Sequence, residues 1–98
     1  MKAKLVALDC AGAQSEIVLN KLPVVIGCSD EAGVRVNDHD VSGFHCLLGD
    51  LNGTLLVRDL GSDNGTQLNG YSINESLVLP GDELTVGSAR YQVCYERN

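Results

Sequence analysis

The sequence is poor in basic residues. Lys and Arg number 7 against 13 Asp and Glu, for a formal net charge of −6 and an isoelectric point near 4.6. Nucleic-acid binders need a cationic face to neutralise phosphates, so this balance argues against DNA or RNA as a partner. Long hydrophobic runs are also missing. No apolar stretch approaches the roughly eighteen residues of a membrane-spanning helix, which argues against membrane insertion. The segment Met1–Leu8 carries two lysines and a short apolar run interrupted by Asp9, too brief for the apolar core of a secretory signal. A soluble, cytoplasmic protein is the expectation. At 98 residues there is no room for a second core, so residues 1–98 are expected to form one domain.

Paired cysteines are lacking as well. The four cysteines, Cys10, Cys28, Cys46 and Cys94, are an even number and so admit a disulfide framework, but none forms a CxxC pair. The one close Cys-His pairing, His45-Cys46, does not chelate readily from adjacent positions on a strand. Cys46 and Cys94 lie in apolar segments, where a thiol behaves as a small hydrophobe. The expectation is reduced thiols, no metal site and no cofactor.

Helical periodicity is absent, since no eleven-residue window sustains apolar spacing at 3, 4 and 7. The apolar content is nevertheless 44%, too high for a disordered acidic tail. It is distributed over short β-prone runs: Lys2–Leu8, Ser15–Leu19, Pro23–Gly27, Val34–Val36, Phe44–Gly49, Thr54–Asp59, Thr66–Leu68, Ser76–Leu79, Glu83–Val86 and Ala89–Tyr95. Several alternate with period two; Tyr91, Val93 and Tyr95 share one face, and Gln92, Cys94 and Glu96 the other. Turn signals punctuate them at Cys10-Ala11-Gly12, Asn52-Gly53, Asn64-Gly65, Asn69-Gly70, Pro80-Gly81 and Gly87-Ser88. Asn-Gly is a strong hairpin signal because both residues tolerate positive φ. About ten short strands with close-set turns predict an all-β sandwich or barrel.

Such an architecture leaves function to loops at the ends of its sheets. Three loops are rich in Ser, Asn, Asp and Gly: Cys28–Gly33, Asn37–Gly43 and Gly61–Gly65. These residues cap turns with their side chains in loops of every kind, so their order and spacing carry more information than their composition. The run Asp38, His39, Asp40 and Ser42 superficially suggests a catalytic triad. It lies within five residues, whereas a triad converges from separate elements beside an oxyanion hole, so no enzyme is expected.

Read in order, Ile26-Gly27-Cys28, Ser42-Gly43-Phe44-His45, Asp59-Leu60-Gly61-Ser62-Asp63-Asn64-Gly65-Thr66-Gln67-Leu68-Asn69-Gly70 and Leu79-Pro80-Gly81-Asp82 resemble the forkhead-associated (FHA) domain family. The family pattern runs Gly-Arg, Ser-x-x-His, Asp-x-x-Ser-x-Asn-Gly-Thr-x-x-Asn-Gly and then Gly-Asp before a late strand. The likeness extends from about Ile17 to Tyr95. It implies an FHA-like β-sandwich of about eleven strands in two antiparallel or mixed sheets, apical loops that bind phosphothreonine peptides, and no catalytic activity. It further implies that Ser42 and Asn64 are peptide-binding, with Gly43 at a further contact position. Gly27, His45 and Gly65 take structural roles, His45 as the buried histidine that props the loops.

The phosphate-facing positions depart from the pattern. Cys28 stands where the family has an arginine, so a bidentate, permanently charged fork gives way to one weak donor. Gly43 stands at a position that is often Arg, Lys or Asn, and Asp63 at one that is commonly Thr or Ser. A charge-assisted hydrogen bond is worth about 1.5–3 kcal/mol, and a carboxylate ~5 Å from a phosphate adds repulsion of about 1–6 kcal/mol. Micromolar affinity amounts to only about 8 kcal/mol. Asp30, Glu31, Asp38, Asp40 and Asp63 all fall in the three loops, which hold no Lys or Arg; Arg35 sits on the short strand between two of them. Five loop carboxylates are explained by turn chemistry, by an acidic face for a basic partner, or by a hard cation, for which no contiguous calcium-loop spacing is present. The expected function is a protein-protein interaction module in which phosphothreonine recognition is weakened or lost and the partner is an unmodified or basic protein. One alternative keeps phosphothreonine binding in signalling through Ser42, backbone amides and Asn64. Another is an assembly scaffold, as in a bacterial secretion apparatus.

Overall fold

A computed structural model describes residues 1–8 and 16–97. The predicted turn at Cys10-Ala11-Gly12 and the first residue of the predicted Ser15–Leu19 strand lie outside the described residues. The elements are β1 (Ala3–Ala7), β2 (Glu16–Leu19), β3 (Val24–Gly27), β4 (Val34–Arg35), β5 (Cys46–Leu51), β6 (Thr54–Asp59), β7 (Thr66–Leu68), β8 (Tyr71–Ile73), β9 (Glu75–Val78), β10 (Glu83–Val86) and β11 (Ala89–Tyr95). They form a six-stranded sheet in the order β2-β1-β11-β10-β7-β8 and a five-stranded sheet in the order β4-β3-β5-β6-β9. Every pairing is antiparallel except β3 with β4. The fold is the all-β sandwich of eleven strands in two sheets that the sequence leads one to expect. Among the described residues no helix is long and apolar enough to cross a membrane.

Period-two alternation decides what fills the space between the sheets. On β11, Tyr91, Val93 and Tyr95 are buried while Arg90 and Gln92 face solvent. Leu5, Ile26, Leu48, Leu55, Val57, Val78, Leu84 and Val86 complete the centre of the core. Tyr95 also ties the sheets together. Its hydroxyl donates to the Val78 carbonyl and accepts from the Leu55 N–H at 3.2 Å, sitting between two residues paired across β6 and β9.

Local chemistry explains the connections. Leu51 pairs with Thr54 and Leu68 with Tyr71, so each loop between them is a bare Asn-Gly. Positive φ at Asn52 (53°), Gly53 (88°), Asn69 (52°) and Gly70 (85°) gives the two turns the hand that matches strand twist. The third Asn-Gly, at 64–65, makes no hairpin; it lies where the chain leaves β6 in one sheet for β7 in the other. The residue pattern alone omits β8, a three-residue strand whose side chains are exposed or half-exposed. It also extends β9 to Leu79, but Leu79 instead opens a turn. The Leu79 N–H donates to the Asp82 carboxylate at 2.8 Å, and its carbonyl accepts from the Asp82 N–H at 3.0 Å.

The register Ile26–Cys46–Asp59 aligns the end of β3, the start of β5 and the end of β6. The segments that follow β3, precede β5 and follow β6 therefore emerge side by side at one end of the sandwich. Those segments hold all three of the loops singled out above.

Candidate functional site

Gly27 brings the first two loops into contact. A Cβ at this position would lie 1.9 Å from the Gly43 carbonyl oxygen, so only glycine permits the approach. The neighbouring backbone completes the junction. The Cys28 N–H donates to the Ser42 carbonyl at 3.0 Å, Ser29 N–H to the Gly43 carbonyl at 3.1 Å, and His45 N–H to the Ile26 carbonyl at 2.8 Å.

His45 joins this pair to the third loop. It is fully buried, with Nδ1 accepting from the Ser42 N–H at 3.1 Å and Nε2 donating to the Gly65 carbonyl at 2.8 Å. Accepting at Nδ1 places the ring proton on Nε2, so one imidazole satisfies a donor in one loop and an acceptor in another. Its own carbonyl accepts from Leu60 N–H at 2.9 Å. Asp59 organises the third loop from below. One oxygen accepts from the N–H groups of Gly61 and Ser62 at 3.0 and 3.1 Å, and the other from the hydroxyls of Ser62 and Thr66 at 2.6 and 2.8 Å. Partial burial pushes the Asp59 pKa up, but these four donors outweigh it and hold the carboxyl below its ordinary value. Burial, and then the nearby Asp59 charge, push the adjacent Cys46 thiol up to about 12. No side-chain polar atom buried among the described residues lacks a hydrogen-bond partner.

Ser42 stands where the three loops meet. Its hydroxyl oxygen accepts from the Asp63 N–H at 3.0 Å, leaving the hydroxyl hydrogen directed to no acceptor among the described residues. Asn64 is exposed and donates through Nδ2 to the Asp40 carbonyl at 2.8 Å, closing the third loop onto the second. Gly43 is half-buried, and a Cβ there would meet only the Ser29 Cβ at 3.8 Å. Asp63 is exposed. Cys28, by contrast, is half-buried and packs against the core. Ser42, Gly43, Asp63 and Asn64 are thus gathered around one point, and Cys28 approaches it through its backbone.

The five loop carboxylates divide by role. Asp38 builds the loop: it accepts from the Asp40 N–H at 2.8 Å and from the Ser88 hydroxyl of the β10–β11 turn. Those bonds, the Ser88 hydroxyl foremost, hold its carboxyl below the ordinary value. Asp30 lies 3.3 Å from the Arg35 Nε, which also donates to the Cys28 carbonyl at 3.2 Å. Both side chains of this ion pair are well exposed, at 53% and 87%, so the pair contributes at most about 1 kcal/mol. The carboxylates of Glu31, Asp40 and Asp63 make no hydrogen bond or ion pair with the described residues. The apparent triad does not converge, because Asp38 is committed to its own loop and to Ser88 while His39 is exposed. No group of three or more His, Cys, Asp or Glu side chains among the described residues is placed to hold a metal ion.

Three contacts were invisible in the sequence: Asp38 with Ser88, Arg35 with the Cys28 carbonyl, and the Tyr95 hydroxyl with the facing sheet. Their partners are 50, 7 and 17 or 40 residues apart, and none falls on a spacing that signals a motif. The role of Asp59 could have been read locally, since a carboxylate followed by Gly, Ser and Thr at two, three and seven residues is a capped turn.

Comparison with known proteins agrees with this geometry. The FHA domain family model matches residues 24–87. The chain is 32% identical over 77 residues to the FHA domain-containing protein FhaB of Mycolicibacterium smegmatis, a match covering 79% of this chain and 50% of that protein. The chain therefore spans about half the length of the curated relatives it matches. A structure from a study of phosphothreonine-dependent FHA domain interactions superposes with a TM-score of 0.88 at 26% identity, covering 100% of both chains. The FhaA FHA domain, solved in complex with the intracellular domain of another protein, gives a TM-score of 0.83 at 27% identity, over 93% of this chain and 98% of that one.

Proposed function

The chain belongs to the FHA domain family, a phosphopeptide-binding class of protein-interaction modules, and on that premise we propose that it is a non-catalytic module whose apical loops have largely given up phosphothreonine. The observation that carries the reading is the composition of the loop lip. Around Ser42, Gly43 offers no side chain, Asn64 and the Asp63 carboxylate reach solvent, and half-buried Cys28 supplies an uncharged thiol. Arg35, on the short strand between the first two loops, is already engaged by Asp30 and by the Cys28 carbonyl.

A dianionic phosphate entering here gains one hydroxyl donor and meets a carboxylate. Losing a charge-assisted fork and adding a like charge together remove several kcal/mol from the roughly 8 kcal/mol of a micromolar complex. The carboxylates of exposed Glu31 and Asp63 and half-buried Asp40 favour instead an unmodified peptide or protein surface carrying Lys or Arg.

Titration with matched threonine and phosphothreonine peptide libraries tests the proposal. The expected result is no affinity tighter than about millimolar for the phosphorylated set and no preference for it; micromolar, phosphate-dependent binding overturns the reading. The unengaged hydroxyl hydrogen of Ser42 favours a second, weaker reading, in which Ser42, Asn64 and nearby amides keep residual phosphate recognition. In that case inorganic phosphate shifts the amide resonances of Ser42, Asp63 and Asn64 selectively and saturably.

A further inference from the structure

Asn-Gly is the dipeptide in which asparagine most readily loses its amide without an enzyme, because glycine puts no side chain in the way. The glycine nitrogen gives its proton to hydroxide and attacks the asparagine Cγ. An N–Cγ bond forms, the Cγ–Nδ2 bond breaks, and the amide nitrogen takes a proton from water and leaves as ammonia. Water then opens the five-membered imide at either carbonyl, giving aspartate or the isomer whose main chain runs through Cγ. Nothing is oxidised or reduced. The attack needs two groups released from other partners, the glycine N–H and the asparagine amide.

The chain holds three such dipeptides, at 52–53, 64–65 and 69–70, and all three asparagines are exposed. Solvent access does not separate them, but hydrogen bonding does. In the β5–β6 hairpin the Gly53 N–H donates to the Asp50 carboxylate at 2.8 Å, while the Asn52 amide meets no partner among the described residues. In the β7–β8 hairpin the roles reverse. Asn69 Oδ1 accepts from the Glu83 N–H at 2.9 Å, while the Gly70 N–H meets no acceptor among the described residues. Each hairpin thus holds one reacting group and leaves the other unheld. The lip holds both: Asn64 Nδ2 donates to the Asp40 carbonyl at 2.8 Å, and the Gly65 N–H donates to the Ser62 hydroxyl oxygen at 3.0 Å.

We propose that the tips of the two hairpins, Asn52 and Asn69, are deamidation sites, and that the loop cluster guards Asn64 against the same reaction. Attack costs one hydrogen bond at either hairpin and two at the lip, and each bond is worth about a fivefold factor in rate. Ser62 is fixed for its part, since its hydroxyl hydrogen is committed to Asp59 at 2.6 Å and its oxygen is left to accept from Gly65. The guard protects the site itself. An aspartate at 64 has no amide hydrogen for the Asp40 carbonyl, and it sets a further carboxylate beside Asp40 and Asp63. The inference stands whichever partner the loops take.

Ageing the protein in warm, mildly alkaline buffer, folded and in urea, tests it by mass-spectrometric mapping that resolves residues 52, 64 and 69. In the folded protein Asn52 and Asn69 are expected to convert, and Asn64 to lag about fivefold or more. In urea the three rates should converge. Ser62→Ala, with its melt checked, should speed conversion of Asn64 about fivefold and leave both hairpins unchanged. Asp50→Ala should speed Asn52 alone. Conversion of Asn64 in the folded protein as fast as at the hairpins overturns the proposal, as does the absence of conversion at both hairpins. An Asn64 that lags equally in urea also overturns it, because the protection would then belong to the sequence and not to the fold. The comparison of folded and unfolded chain needs no variant, so it decides the matter even where Ser62→Ala fails to fold.

Discussion

The loop cluster has an inside and a lip, and the two have diverged. Inside, every buried side-chain polar atom among the described residues is matched: His45 bridges two loops, Asp59 gathers four donors, and Gly27 allows a backbone contact that any side chain would block. At the lip, the positions that would grip a phosphate hold a half-buried thiol, a glycine and a carboxylate. A frame can persist while the ligand contacts change, because the frame's energetics depend on buried hydrogen bonds and the lip's do not. Substitutions inside should therefore register in stability, and substitutions at the lip in binding.

The largest expected effect is at His45. His45→Ala orphans the Ser42 N–H and the Gly65 carbonyl and leaves a cavity, at a cost of about 3 kcal/mol or more. Chemical denaturation should show this as a lower midpoint with an unchanged slope. Gly27→Ala comes next. Forcing a methyl against the Gly43 carbonyl costs about 2–3 kcal/mol, read in the same experiment; a variant as stable as the parent would show that the loops separate freely.

Acid should attack the inside before the lip. Asp59 and Asp38 have folded-state pKa values below their unfolded ones. Their contribution is present above the unfolded value near 4 and is lost as pH falls through the folded value. Stability should decline below about pH 4, and Asp59→Asn should flatten that decline, because an amide does not titrate. The smallest effect is kinetic. Cys46 is buried with its thiol pushed up to about 12, so at neutral pH a thiol reagent should modify half-buried Cys28 and Cys94 and reach Cys46 only on unfolding. Labelling of Cys46 at the rate of Cys94 would mean that the inside opens as readily as the surface.

Much of this was legible in the sequence, for physical reasons that also mark the limits. Alternation on Tyr91, Val93 and Tyr95 and two of the Asn-Gly dipeptides announce strands and hairpins because both signals are local. The third Asn-Gly reads identically but serves a crossing between sheets, a difference set by tertiary structure. β8 escaped because three residues with no buried side chain leave no periodic trace. The loop residues were placed by the order of four motifs. The bond from Ser88 to Asp38, spanning 50 residues, and the packing of Cys28 against the core come from tertiary structure that no spacing encodes. The acidic balance that first spoke against nucleic acid acquires a location in the structure: Glu31, Asp40 and Asp63 stand unpaired among the described residues where the loops converge.

The division between a retained frame and an altered lip is tested most directly by repairing the lip alone. Cys28→Arg, Gly43→Arg and Asp63→Thr together would restore the fork, a second cation and a hydroxyl around Ser42. Wild type and triple variant, each confirmed as folded, would be titrated by calorimetry with the same phosphothreonine peptides. The expected result is silence from the wild type and micromolar, phosphate-dependent binding by the variant. A folded variant that stays silent, or a wild type that binds as tightly as the variant, would contradict the account.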